Sequence, residues 1–243
     1  KEAAARSITN CWQAVEGFQD KMLAFMENHD EQRIASNFFA GNARSGIPAM
    51  IVLACTHVNP VMIYFGQELG ESGMDEEGFS GVDGRTSIFD YWSIKSVRNW
   101  VNNGRFDETG LTEKQCEIRN IYKKILRIAR KEKAITSGLF YDLSYANTSN
   151  KCFNAGRQYA FMRKHDNEVL LVLANFDKSE QTVQVRIPEE AFAYLGINDN
   201  EAAGLTDLLS GETSISTLTH VCPFKVVIPA FSGKVLKFTY ESK

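Results

Sequence analysis

The sequence predicts two kinds of fold in one chain: a parallel α/β arrangement over residues 1–145 and an antiparallel β-sandwich over residues 146–243. Three observations carry this. Two short apolar runs, at residues 22–25 (MLAF) and 61–65 (VMIYF), each break abruptly into polar and ionisable residues, as strands buried on both faces of a parallel sheet do. Segments with helical signals lie between and after those runs. From about Lys151 the chain changes to short runs rich in Val, Phe and Tyr separated by turn residues, the pattern of an antiparallel sheet.

The elements follow in order. The run MLAF exits into Asn28, His29 and Asp30, then Glu31, Gln32 and Arg33. A strand that ends in such a cluster resembles the rim of an active site. Pro48 opens a helical stretch, because proline is tolerated in a first turn. Pro60 leads into the second strand, which ends at Gly66, Gln67 and Glu68, and a loop rich in Gly and acidic residues follows. Thr112 stands three residues before Gln115, a capping-box spacing. Ile118, Ile121, Tyr122, Ile125 and Ile128 then form an apolar stripe at helical period, so residues 111–133 are a helix. In the second half, turns are expected at Asp166-Asn167, Asp177-Lys178-Ser179, Ser210-Gly211 and Ser232-Gly233. The alternation in TVQVRI and KVLKFTY gives that sheet one polar face.

Composition limits the function. The 243 residues are 44% hydrophobic and 23% charged, with a net charge of −3. An acidic balance of this size gives no reason to expect nucleic acid or an anionic membrane as partner. The basic residues Lys123, Lys124, Arg127, Arg130, Lys131 and Lys133 fall on the helix with apolar residues between them, as on a solvated face. No apolar run approaches the roughly 20 residues needed to span a bilayer. Five scattered cysteines, none in a C-x-x-C, argue against a disulfide framework or zinc site and favour a reducing, cytoplasmic compartment. The opening KEAAARS reads as the interior of a longer protein. His57 is expected to be a satisfied core histidine, and His165 and His220 show no partner pattern. Tyr91, Trp92 and Trp100 are expected to pack in the core, though they could stack on a ligand.

Taken together, ENHDEQR after the first strand, PVMIYFGQELGE ending the second, DGRTSIFDYW beyond it and YKKILRIARKEKAITSGLF before the β-rich tail resemble the α-amylase family of glycoside hydrolases, family 13. The likeness runs in order along nearly the whole chain. It implies that residues 1–145 are the last two β/α units of a (β/α)8 barrel and that residues 146–243 are the β-sandwich called domain C. By that resemblance Asp30 is the transition-state-stabilising aspartate. His29, Asn28, Arg33, Tyr64 and Glu68 are substrate-binding, with Arg33 either lining the site or holding a carboxylate in place. Catalytic groups of such barrels sit at the carboxyl ends of strands, where Asn28, His29 and Asp30 are.

One departure is large. Retaining hydrolysis needs a nucleophilic carboxylate and an acid/base carboxyl. The family carries them after its fourth and fifth strands, the first in a G-x-R-x-D pattern. Residues 104–107 (GRFD) and 14–17 (AVEG) imitate these motifs, but no apolar strand precedes either. The chain is therefore expected to be the carboxyl-terminal portion of an enzyme acting on α-linked glucans such as starch and maltooligosaccharides. Alone it should be inactive, and it should self-associate through open barrel-strand edges. The alternatives are a non-catalytic carbohydrate-binding or interaction module and a parent that is an α-glucan transglycosylase. No cofactor is expected. The acidic loop with Asp75, Glu76, Glu77 and Asp83 offers oxygen ligands for calcium in the parent but lacks the spacing of a dedicated calcium loop.

Overall fold

A computed structural model describes residues 3–73, 82–89 and 93–240. The first half holds α1 (Ser7–Gln13), β1 (Ala24–Phe25), α2 (Ile47–Thr56), β2 (Val61–Met62), α3 (Lys95–Val101), α4 (Glu113–Lys131) and α5 (Lys133–Thr136). β1 and β2 pair in parallel, Ala24 opposite Val61 and Phe25 opposite Met62, with α2 as the crossover between them. That is the expected strand–helix–strand order with shorter strands. Expectation and structure differ over burial. Met22, Leu23 and Phe25 are 43%, 49% and 43% exposed, so this run is not buried on both faces. The reason is pairing: among the described residues β1 meets only β2.

α2 is apolar all round, and eight of its ten residues are buried. A helix of that kind must be covered on every side. It lies between α4 and the large antiparallel sheet, in one core with Ile118, Tyr122, Ile125 and Ile128 of α4. α4 begins with the expected capping box: the Thr112 hydroxyl accepts from the Gln115 amide and the Gln115 side chain accepts from the Thr112 amide. Lys124, Arg127, Arg130 and Lys131 are exposed on its outer face.

The second half holds β3 (Leu139–Asp142), α6 (Ser144–Asn147), β4 (Gln158–His165), β5 (Glu168–Asn175), β6 (Gln181–Val185), α7 (Glu189–Leu195), β7 (Asn200–Asp207), β8 (Thr213–Leu218), β9 (Phe224–Ile228) and β10 (Ser232–Thr239). Six strands form an antiparallel sheet in the order β3-β4-β5-β10-β7-β8, and β6 pairs with β9 in a second sheet. β4 and β5 are a hairpin around Asp166-Asn167, with Asp166 in the left-handed region, φ 47°. The two sheets and α7 share one core, with Val183 and Val185 of β6 and Phe224 and Ile228 of β9 meeting Met162, Leu171, Leu173 and Phe238.

β6 keeps the expected alternation, with Val183 and Val185 buried and Thr182 and Gln184 exposed, but the centre of the large sheet has no polar face. Leu171 and Leu173 face the β6–β9 core, while Leu170, Val172 and Ala174 face α2 and α4, so β5 is buried on both faces. Contact is close at Gly233 of β10, where an added Cβ would come within 2.8 Å of Ile51 Cδ1 on α2.

Two cations, Arg163 buried and Lys237 partly buried, tie the halves together. Arg163 of β4 is 2% exposed and is held by carbonyls rather than by a carboxylate. It donates to the carbonyls of Ala134 at 2.8 Å, Thr56 at 2.6 Å, Ile135 at 2.6 Å and Gly138 at 3.0 Å, which cap the carboxyl ends of α2 and α5. Lys237 of β10 bridges Glu132 at 2.6 Å and Glu168 at 2.8 Å. Glu168 also accepts from the Ala134 amide.

The Glu168 carboxyl is set against its burial by Lys237 and the Ala134 amide and ends below the usual 4.5; the two carboxylates raise Lys237 above 10.5. A depressed carboxyl contributes stability above its unfolded pKa and loses it as pH falls through the folded one; a raised amine loses its contribution only as pH climbs past 10.5. Lys237→Met should therefore cost about 1 kcal/mol at pH 7, discounted for partial exposure. The gap from the parent chain should shrink as pH drops below 4.5, as read by urea denaturation at both pH values.

Candidate active site

At the exit of β1 the chain is shaped by one side chain. Asn28 Oδ1 accepts from the amides of Asp30 at 2.9 Å and Glu31 at 3.0 Å. This Asx turn reverses the chain and presents Asp30 outward, its side chain 71% exposed. His29 Nε2 lies 3.5 Å from Asp30 Oδ1, so the two groups face the same space.

Beneath the turn is a buried polar cluster. Arg33 is fully buried and donates to Glu27 Oε2 at 2.8 Å, the Phe65 carbonyl at 2.6 Å and Thr86 Oγ1 at 2.9 Å. Its guanidinium also stacks on Tyr64, 4.3 Å from the ring centre. Glu27 Oε1 accepts from the Ile34 amide at 2.7 Å. Burial raises the Glu27 pKa, and Arg33 and the Ile34 amide counter it. Tyr64 donates to the Thr86 carbonyl at 3.0 Å; burial pushes its hydroxyl up, and Asp30 is near enough to add to that. The cluster thus ties the end of β1, the end of β2 and the segment at Thr86 into one rigid floor.

The structure brings Asn28, His29, Asp30, Arg33 and Tyr64 to one end of the β1–β2 pair. Arg33 has no exposed surface for a direct sugar contact; of the two roles its position allowed, it takes the holding of a carboxylate, Glu27. Tyr64 is 7% exposed and belongs to the same floor. Glu68 is half-buried in the turn Gln67–Leu69, and its charge is felt by the Tyr122 hydroxyl. Sequence reasoning missed Glu27, Thr86 and Gln67, which donates to Tyr122 at 3.2 Å. For Glu27 a signal exists: a glutamate sits directly at the strand end, ahead of Asn28.

Other expectations divide. Asp75, Glu76, Glu77, Tyr91 and Trp92 lie outside the described residues. Asp83 accepts from the Arg85 amide at 3.0 Å, and Trp100 carries Arg119 on its face at 3.6 Å. His57 is not satisfied: it stands at the carboxyl end of α2, and among the described residues its Nε2 has no hydrogen-bond partner. His165 and His220 do have partners, Asp166 at 3.2 Å and Asp199 at 2.9 Å. Among the described residues no helix is long and apolar enough to cross a membrane, and no three His, Cys, Asp or Glu side chains are grouped to hold a metal.

Compared with known proteins, the chain matches no family profile and no curated sequence. Solved structures match it over almost its full length. The complex of the α-amylase GTA from Geobacillus thermoleovorans with acarbose superposes with a TM-score of 0.63 at 17% identity, over 100% of this chain and 45% of that one. The chain shares its fold with α-amylases. The noncanonic maltogenic α-amylase AmyB from Thermotoga neapolitana gives a TM-score of 0.60 at 16% identity, over 98% of this chain and 46% of that one. AmyP in complex with maltose gives 0.66 at 15% identity, over 99% and 46%. The chain spans less than half the length of these α-amylases, which fits the carboxyl-terminal portion implied by the sequence resemblance.

Proposed function

We propose that this chain is the carboxyl-terminal portion of an α-amylase-like retaining glycoside hydrolase acting on α-linked glucans. β1 and β2 are the last two strands of its (β/α)8 barrel, and residues 146–243 are domain C. Asp30 is the transition-state stabiliser. It grips hydroxyls of the sugar whose bond is cleaved, and these contacts tighten as the ring flattens toward the oxocarbenium-like state. His29 donates to the same sugar, and Asn28 sets the turn that aims both.

One observation carries the reading. An exposed aspartate stands beside a histidine at the exit of one of two parallel strands, on a buried Arg33–Glu27 floor. Exposed acids are common, but a fully buried ion pair beneath one fixes its backbone. Glu68 borders the site from the end of β2.

The nucleophile and the acid/base belong to the rest of the protein. The natural full-length protein should release reducing sugar from maltohexaose, and residues 1–243 alone should release none. Release by the isolated chain, abolished by Asp30→Ala, would place a complete carboxylate pair within it and end this reading.

The wet side chains at β1 add a second expectation. Each large apolar residue left in water forgoes about 1.5–3 kcal/mol, and β1 and β2 present open edges that can pair with another chain. Residues 1–243 alone should self-associate with rising concentration in sedimentation velocity. The full-length protein should lack this association, its other barrel strands covering the same edges.

A further inference from the structure

The joint between the two halves contains an unsatisfied histidine. His57 follows the last turn of α2, at the helix end that meets Arg163. Its Nε2 is buried and, among the described residues, has no hydrogen-bond partner. Gln19 Oε1, in the segment after α1, borders the same cleft and is also buried and unpartnered, so neither group satisfies the other. The imidazole lies against Phe140 of β3, with 5.8 Å between ring centres. The end of α2, β3 and the segment after α1 thus meet around one imidazole.

A neutral imidazole occupies such a place at the cost of about one hydrogen bond, whereas a buried imidazolium without a partner costs far more. A helix carboxyl end ordinarily favours a cation. Here that position is taken: the Thr56 carbonyl accepts from Arg163 at 2.6 Å. The other partners of Arg163 are the carbonyls of Ala134, Ile135 and Gly138, so its charge is balanced by dipoles and not by a carboxylate. A second charge, on His57, would face the first.

The remaining ionisable groups around His57 do not offset that repulsion. Asp142 of β3 is taken up by Thr9, Trp12, Tyr159 and the Ser144 amide. α1 brings the thiol of Cys11 and, just beyond the helix, Glu16, both exposed to water. Burial pushes the Cys55 thiol of α2 up to about 12, which leaves it neutral. Tyr141, Tyr145 and Tyr194 border the cleft as phenols, uncharged at neutral pH. Burial first, and Arg163 second, hold His57 below its ordinary 6.5.

We propose that His57 is a pH-sensitive latch at this joint: neutral, it lets α1 and the end of α2 close on the large sheet, and protonated, it drives them apart from Arg163. The opened chain takes up the proton near 6.5 and the closed one only below that. The closed joint therefore keeps its full advantage above 6.5 and loses it as pH falls toward the lower, closed-state value. The latch does not depend on the glycosidase reading, since none of its groups lies at the exit of β1.

The test is hydrogen exchange of the natural full-length protein at pH 7.5 and pH 5.5, with rates corrected for the intrinsic pH dependence of exchange. Protection of the amides of residues 5–19 and 52–58 should fall at pH 5.5 by up to about tenfold, the limit set by one proton and an opened-state value of 6.5. His57→Gln and His57→Phe remove the titrating group and should show no such fall. Two variants guard against a substitution that opens the joint by itself, which would appear as lost protection at pH 7.5. A fall of the same size in the parent and both variants overturns the proposal, as does unchanged protection in the parent.

Discussion

Asp30→Asn in the natural protein that carries this chain should lower kcat on maltohexaose by about 100-fold or more and change KM little. Asparagine keeps the size of the side chain and removes its charge. An interaction that forms mainly in the transition state appears in kcat, whereas uniform binding appears in KM. The Asx turn does not depend on the substituted group, because Asn28 Oδ1 bonds the backbone amide of residue 30. The turn should therefore survive, and the loss can be assigned to the carboxylate. His29→Ala should cost less, about tenfold, since a neutral hydrogen bond is lost rather than a charge. A near-normal kcat in Asp30→Asn would remove Asp30 from the reaction.

The largest stability effect is expected at Arg163. Arg163→Met fills similar space but leaves the carbonyls of Thr56, Ala134, Ile135 and Gly138 without the donors that now cap them. Buried unsatisfied acceptors cost about 1–3 kcal/mol each, and relief from burying a cation offsets part of the sum, so a net loss of about 3–5 kcal/mol is expected in urea denaturation. Arg163→Lys should recover only a fraction, because an ammonium cannot fork to four carbonyls on two helices. A loss below about 1 kcal/mol in Arg163→Met would mean that α2 and α5 are joined to β4 by apolar packing alone.

What the sequence disclosed follows from how local each feature is. The Thr112–Gln115 capping box and the Ile118–Ile128 stripe were legible because both are written within a few turns of one helix. The Asp166-Asn167 turn was legible for the same reason. The parallel pairing of the two apolar runs was legible from their composition, but their exposure was not, because it depends on what covers them. The burial of β5 on both faces has a trace in VLLVLAN, a run without alternation, which the neighbouring alternating strands outweighed.

At the candidate site, Asn28, His29 and Asp30 stood out because polar residues interrupt an apolar run. The Glu27–Arg33 pair did not, since six residues through a loop is no helix or strand spacing. Arg163 carries no local signal; only the meeting of two helix ends around it makes it the clasp between the halves.

The most direct measurement is a crystal structure of the full-length protein, as Asp30→Asn to slow turnover, with maltohexaose bound. The account predicts a sugar ring at the end of β1, with the residue 30 side chain and His29 each within about 3 Å of its hydroxyls. Maltohexaose bound only elsewhere, with the side chains of residues 29 and 30 facing solvent, would contradict it.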